Sequence, residues 1–193
     1  MKKLRYIFLI LIVLNIGELK AENIKPIIDG NVNSKIKILI YESLTCSHCA
    51  NFHNDIFPEL KKEFIDTGLI SIEYRNFPLD MAALNASKLS HCKNDGSSDL
   101  LHYLYLNQNK WAKGSTIKEV NSNLNKTIKE GKYEIDTIKC IANGLLEDHI
   151  LNDRVEAVKK YDVNSTPTLI INGKKFKKPL TFKNIQKAIE KLL

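Results

Sequence analysis

A second pair of closely spaced metal ligands is missing from this sequence. Cysteine occurs four times in 193 residues. Two of the four form Cys46-Ser47-His48-Cys49, whereas Cys92 and Cys140 stand far apart and belong to no Cys-X-X-Cys or His-X-X-X-His pair. A structural zinc site needs two such pairs meeting in space, so the spacing argues against one and predicts no metal. His91, His102 and His149 have no metal-like spacing with one another and read as surface or packing residues. Internal repeats and low-complexity segments are absent too. The lysines are scattered, without interleaved aromatic residues. The formal charge of +7 falls to +4 once Lys2, Lys3, Arg5 and Lys20 are set aside with Glu18. That pattern excludes a nucleic-acid-binding stripe and fits a solvated surface. No N-terminal dimerisation module is visible, so the chain is expected to be a monomer. An apolar fraction of 44% with 26% charged residues is ordinary globular composition and excludes disorder. The length supports one domain, with room for a large insertion.

The N-terminus carries an apolar core, Tyr6 to Leu14, too short to span a bilayer comfortably. Lys2, Lys3 and Arg5 precede it, and Leu19-Lys20-Ala21 offers a cleavage site in which only Leu19 departs from the small-residue rule. Residues 1–21 are therefore expected to be a signal peptide, either removed or kept as a membrane anchor, and the protein is expected to be periplasmic. No cysteine follows the apolar core, so nothing points to lipidation there. An even cysteine count suits a compartment where disulfides persist.

What the sequence does contain is a dithiol at a chosen place. Ile36, Ile38 and Ile40 alternate with Lys35 and Lys37, and Leu39 and Tyr41 fill the other face, which reads as a strand becoming buried on both sides. From Cys46 the pattern turns helical, with Phe52, Ile56, Leu60 and Phe64 every four residues. Pro58 lies inside this run and should kink it. A strand that delivers Cys-X-X-Cys to a helix start places the first sulfur among free amides at the positive end of the helix dipole. That stabilises a thiolate, the attacking species in disulfide exchange. Cys46 is the candidate nucleophile, Cys49 the candidate buried resolving thiol, and His48 can donate a hydrogen bond or partial charge to the Cys46 sulfur.

Residues 22–34 read as a polar lead-in, part linker and part edge. Leu69 to Tyr74 is a second strand, broken by Phe77-Pro78-Leu79-Asp80. No strand is evident from 80 to 160; helices are expected near 80–93, 98–112, 116–129, 134–142 and 145–160, the last with Leu151, Val155 and Val158 in helical register. Trp111, Leu101, Tyr103, Leu104 and Tyr105 read as helical core. After Thr166-Pro167 come a strand at 168–171, an Asn172-Gly173 hairpin turn, a strand at 174–177, and a helix capped by Thr181 with Ile185, Ile189 and Leu192 in register.

With its motifs Ser43-Leu44-Thr45-Cys46-Ser47-His48-Cys49, Asn76-Phe77-Pro78-Leu79-Asp80 and Val163-Asn164-Ser165-Thr166-Pro167-Thr168, the chain resembles the DsbA-type thiol-disulfide oxidoreductases. Their order and separations match over nearly everything after residue 30, and His48 matches the family where Ser47 replaces its more usual proline. The resemblance implies an α/β, thioredoxin-like mixed sheet with a large all-helical insertion, the core at about 30–78 and 161–193 and the insertion at about 79–160, within a domain spanning 22–193. It implies a cis Thr166–Pro167 bond where sequence alone leaves an ordinary trans proline open. It also implies that the Thr166 backbone pairs with substrate peptide as an added strand, with Thr166 Oγ1 in reach of the sulfurs.

The family commonly carries a buried carboxylate four residues after the second cysteine, where this chain has His53, and another at the position of Ile40. His53 then either accepts the proton or is simply packed. Glu42 is close in sequence, but strand alternation is expected to turn it away. Cys92 and Cys140 are expected to form a structural disulfide, the alternative being two buried thiols. The expected activity is an exported dithiol oxidase with no cofactor, acting on unfolded or reduced secreted proteins and reoxidised by a quinone-linked, DsbB-like membrane partner. An isomerase or reductase would use the same residues. A metal-delivery protein would instead load Cys46, Cys49 and a histidine, and a holdase would bind unfolded chains through the helical block.

Overall fold

The segment Ile27–Gly30 forms strand β1 and Ile36–Glu42 forms β2 in the computed structural model, which describes residues 23–193. The signal peptide expected over 1–21 lies outside the described residues. Ile36, Ile38 and Ile40 are fully buried and Lys37 is exposed, then every residue from Ile40 to Glu42 is buried. The strand thus sinks into the molecule as it nears the cysteines. It runs parallel to β3 (Ile70–Asn76), with Ile36 opposite Ile70, Ile38 opposite Ile72 and Ile40 opposite Tyr74. A ladder of β-branched side chains on one face is the core of the sheet. β4 (Thr168–Ile171) pairs antiparallel on the other side of β2, and β5 (Lys174–Lys175) follows it, giving the order β1-β3-β2-β4-β5. β1 closes the far edge antiparallel to β3, so part of the polar lead-in is sheet. The expected strand at 174–177 shrinks to Lys174–Lys175, paired with Ile171 and Ile170, followed by one more backbone bond from the Phe176 amide to the Leu169 carbonyl at 2.9 Å.

After β2 the chain enters α1 (Ser47–Asn51), passes through wider π-type turns at Phe52–Ile56, then α2 (Phe57–Leu60), then π-type turns at Lys61–Ile65. Pro58 stands at the start of α2, directly after the first wide turn. The missing Pro58 donor falls where the ladder already changes register. Phe52, Leu60 and Phe64 are buried as their spacing predicts.

Between β3 and β4 all the regular structure is helical: α3 (Met81–Ser90), α4 (Asp99–Leu106), α5 (Gln108–Trp111), α6 (Ile117–Glu130), α7 (Thr137–Ile141) and α8 (Gly144–Tyr161). The run expected as one helix at 98–112 is broken at Asn107, whose φ of −112° and ψ of 19° leave the helical region. Trp111 is fully buried and donates its indole N–H to the Leu104 carbonyl at 2.8 Å. α8 is the helix that the spacing predicts. Leu151, Val155 and Val158 share a face, but that face is 39%, 46% and 50% exposed, whereas Leu146, Ile150, Asp153 and Ala157 are buried. Spacing tells which residues share a side, not which side is inward. Here Asp153 anchors the inward side, accepting from Arg75 at 2.8 Å and from the Asn76 side chain at 2.8 Å. Thr181 caps the last helix, α9 (Phe182–Glu190), by accepting from the Asn184 amide; Ile185 and Ile189 are buried, and Leu192 lies beyond its end, 39% exposed. Among the described residues no helix is long and apolar enough to cross a membrane.

Candidate active site

Cys46 is the N-cap of α1, in extended conformation, and Cys49 lies buried in the first turn. The strand end and helix start are pinned together. Gln108 on α5 donates to the carbonyls of Leu44 at 2.8 Å and Cys46 at 3.0 Å, and Thr45 Oγ1 donates to Asp80 at 2.8 Å. Asp80 also caps α3 through the Ala83 amide at 2.7 Å, so one carboxylate ties the cysteine loop to the helical block. The cis Thr166–Pro167 peptide faces the dithiol. The Cys46 thiol donates to the Thr166 carbonyl at 3.5 Å, and Thr166 Oγ1 is buried with no partner, free to donate to that sulfur once it ionises. His48, Asn51, Phe52, Ile56, Thr166 and Pro167 line a groove of about 360 Å³ beside the sulfur.

The two sulfurs are electrostatically unlike. A hydrogen bond from the Cys49 thiol, helped by Thr166 and by the backbone amides of Cys49 and His48, outweighs partial burial and lowers Cys46 to about 5. The His48 contribution thus comes from its backbone amide, while its imidazole is exposed. Burial pushes the Cys49 thiol far up, and the Cys46 hydrogen bond and the Glu42 carboxyl add to it. Such a pair holds its negative charge on the accessible sulfur.

Glu42 corrects an expectation. It is two residues after Ile40 on β2, so period-two alternation puts it on the same face as Ile36, Ile38 and Ile40, and it is buried. Its Oε2 lies 2.8 Å from His53 Nε2, and both side chains are almost wholly buried. His53 in turn lies 2.9 Å from His102 through their Nδ1 atoms, and His102 Nε2 lies 2.8 Å from Asp29. His102 is therefore part of a buried array and not an isolated surface residue. The Tyr105 ring stacks on His53 at 4.0 Å. Burial drives Glu42 well above the ordinary carboxylate range and His53 well below the ordinary imidazole range. The Tyr105 hydroxyl faces the Glu42 carboxyl and opposes its rise, but neither it nor Glu42 Oε1 completes a hydrogen bond of ordinary geometry.

Sequence reasoning also missed Asp29, Tyr105, Gln108 and Asp80 as contributors. Only Glu42 had a readable signal, its even spacing from Ile36. His91 is buried, the packing alternative of the two expected, and desolvation lowers it to about 4 beside Asn76 at 3.1 Å. Cys92 and Cys140 are bonded, with Cα atoms 5.6 Å apart. Among the described residues no group of three or more histidine, cysteine or acidic side chains is arranged to hold a metal.

Comparison with known proteins places this geometry. A family profile described as thioredoxin matches residues 22–191. A Rickettsia bellii protein provisionally named a protein-disulfide oxidoreductase is 32% identical over 146 residues, 75% of this chain and 56% of that protein. Disulfide bond formation protein D of Bacillus subtilis is 24% identical over 173 residues, 85% of this chain and 75% of that protein. The crystal structure of Wolbachia pipientis alpha-DsbA1 superposes with a TM-score of 0.77 at 28% identity, over 86% of this chain and 90% of that one. The chain spans 52–60% of the length of the Rickettsia relatives it matches.

Proposed function

Because the chain belongs to the thioredoxin family, in its DsbA-type branch, we propose that it is an exported thiol-disulfide oxidoreductase that introduces disulfides into reduced secreted proteins. In the oxidised enzyme Cys46 and Cys49 are bonded. A substrate thiolate attacks the Cys46 sulfur, the Cys46–Cys49 bond breaks, and its electron pair goes to Cys49. A second substrate thiolate then attacks the substrate sulfur of the mixed disulfide and expels Cys46 as a thiolate. The substrate loses two electrons in forming its disulfide, and the enzyme is left as a dithiol.

The observation that carries the oxidase direction is the lowering of Cys46 to about 5. A good leaving thiolate stabilises the reduced enzyme and makes the disulfide a strong oxidant. The Thr166 carbonyl, 3.5 Å from the Cys46 sulfur, supports docking of a substrate strand there, with the groove past Pro167 taking its side chains. The domain acts as a monomer and is returned to the disulfide state by a quinone-linked membrane protein. Export to the periplasm by residues 1–21 suits that chemistry. A glutathione redox titration, with ultraviolet absorbance reading the Cys46 thiolate, tests the direction. The oxidase reading predicts a potential nearer about −120 mV, as for strong dithiol oxidants, and a value near about −270 mV, typical of thioredoxin, would overturn it.

A further inference from the structure

Cys49 is a thiol in the dithiol enzyme and a bare sulfur in the disulfide, so a proton must reach and leave a site sealed from water. We propose that Glu42 exchanges this proton with Cys49, and that His53, His102 and Asp29 relay it between Glu42 and solvent. The inference rests on the oxidoreductase reading above.

Counting donors leaves two arrangements of the same three protons. Asp29 accepts from Tyr74 at 2.7 Å, Ser98 at 2.7 Å and His102 Nε2 at 2.8 Å. Burial works against its charge, but donation from His102, Ser98 and Tyr74 holds it below the ordinary carboxylate range. An ionised Asp29 requires His102 to carry its proton on Nε2. A neutral His102 then presents a lone pair at Nδ1, so the facing Nδ1 of His53 must carry a proton. His53, neutral as its burial demands, is left with a lone pair at Nε2, and Glu42 must be a carboxylic acid donating to it. The same three protons have a second arrangement. If the Glu42 proton moves to His53 Nε2 and the Nδ1 proton of His53 moves to His102, Glu42 becomes a carboxylate and His102 a cation beside Asp29. Each hop crosses a gap of 2.8 or 2.9 Å.

The two ends have the environments this needs. Glu42 is the last residue of β2, Ser43 follows it, and the Ser43 backbone lies against the Cys49 sulfur. Glu42 Oε1 is buried and unpartnered, leaving one carboxyl oxygen unused by the array. Exposure rises along the array from 3% or less at Glu42 and His53 to 18% at His102 and Asp29. His102 also lines an open surface depression with Asp99, Tyr103, Leu106 and Lys132, which is the door to water. The titratable groups packed around Glu42 are His53, Tyr105 and the two cysteines, with His102 behind His53. When the Cys46–Cys49 bond breaks and its electron pair goes to Cys49, that sulfur takes the Glu42 proton, and a proton from water entering at His102 restores Glu42. Reoxidation runs the same transfer backwards, the Cys49 thiol giving its proton to the Glu42 carboxylate.

The test is stopped-flow reduction of the oxidised protein by dithiothreitol and reoxidation of the dithiol by glutathione disulfide, followed by Trp111 fluorescence. Glu42→Gln and His102→Gln should each slow both reactions by roughly a hundredfold, the low end of general acid–base catalysis. His102→Gln should keep the wild-type reduction potential, and added imidazole should restore its rate in proportion to concentration, since its site opens to solvent. A folded His102→Gln that reacts at the wild-type rate across the pH range, or a slowed one indifferent to imidazole, overturns the relay. This variant sits at the rim, so the test stands even if Glu42→Gln does not fold. Wild-type protein inert to both reagents would overturn the oxidoreductase reading itself, and the relay with it.

Discussion

Removing the Cys46 thiolate should cost the reduced protein stability only at pH values where that thiolate exists. Its folded-state value of about 5 lies below the usual thiol value of 9.0. A depressed acid contributes stability that is fully present above the unfolded value and is lost as pH falls through the folded one. At about pH 7 the gap to the folded value is roughly two units, about 2.7 kcal/mol before screening. Cys46 is only half-buried, and solvent screening brings this to about 1–2 kcal/mol. For a domain of this size that is a melting-temperature difference of roughly 2–8 °C. The assay compares reduced wild type with Cys46→Ser by thermal unfolding across pH. The wild-type advantage should grow with pH up to about 9, reach about 1–2 kcal/mol at neutral pH, and fade to nothing by about pH 4, where both side chains are neutral. Since Ser replaces Cys at every pH, packing differences cancel from the pH dependence. A gap that stays flat between those limits would show that neither the Cys49 hydrogen bond nor the backbone amides hold the charge, and the argument for an oxidising disulfide would fail with it.

Three other outcomes follow from the packing. Trp111→Ala empties a fully buried site and drops the bond to Leu104, so urea unfolding should show a loss of about 3–5 kcal/mol; under about 1 kcal/mol would mean that α5 is not core. Replacing Cys92 and Cys140 together by alanine opens a closure across 48 residues and should cost about 4 kcal/mol in non-reducing denaturation, with equal stability refuting the crosslink. Gly30→Ala should destabilise by about 2–3 kcal/mol, because φ is +92° and the new Cβ would stand 2.6 Å from the Ile70 carbonyl oxygen; an unchanged melting temperature would show that the β1 edge is not held as described.

The elements differ in how far local pattern could reveal them. β2 and β3 were legible because one face is apolar throughout and period two gives each strand its inward face, while their pairing, Ile36 opposite Ile70 and Ile38 opposite Ile72, comes from the fold. Cys46 and Cys49 were legible because a strand, a turn and a helix start follow one another within a few residues. α8 was legible as a helix but not in its facing, since Asp153 replaces an apolar side chain as the buried anchor. The break at Asn107 was invisible, because its neighbours on both sides are good helix formers. Glu42 lay in plain view on the isoleucine face, but a carboxylate at the end of a strand reads as exposed unless its partner is known.

The order of amino acids by itself determined the sheet strands beside the dithiol, the helical character of 81–161 and the placing of Cys46 and Cys49 at a helix start, because each depends on spacing along one stretch of chain. Which groups surround those sulfurs was decided only by the tertiary structure. Asp29, Glu42, His53, His102 and Thr166 come from five separate stretches, and Asp29 and His102 are 73 residues apart in the chain while 2.8 Å apart in space. Burial and hydrogen bonding set the charge of each, and neither exists until the sheet and the helical block have closed over them.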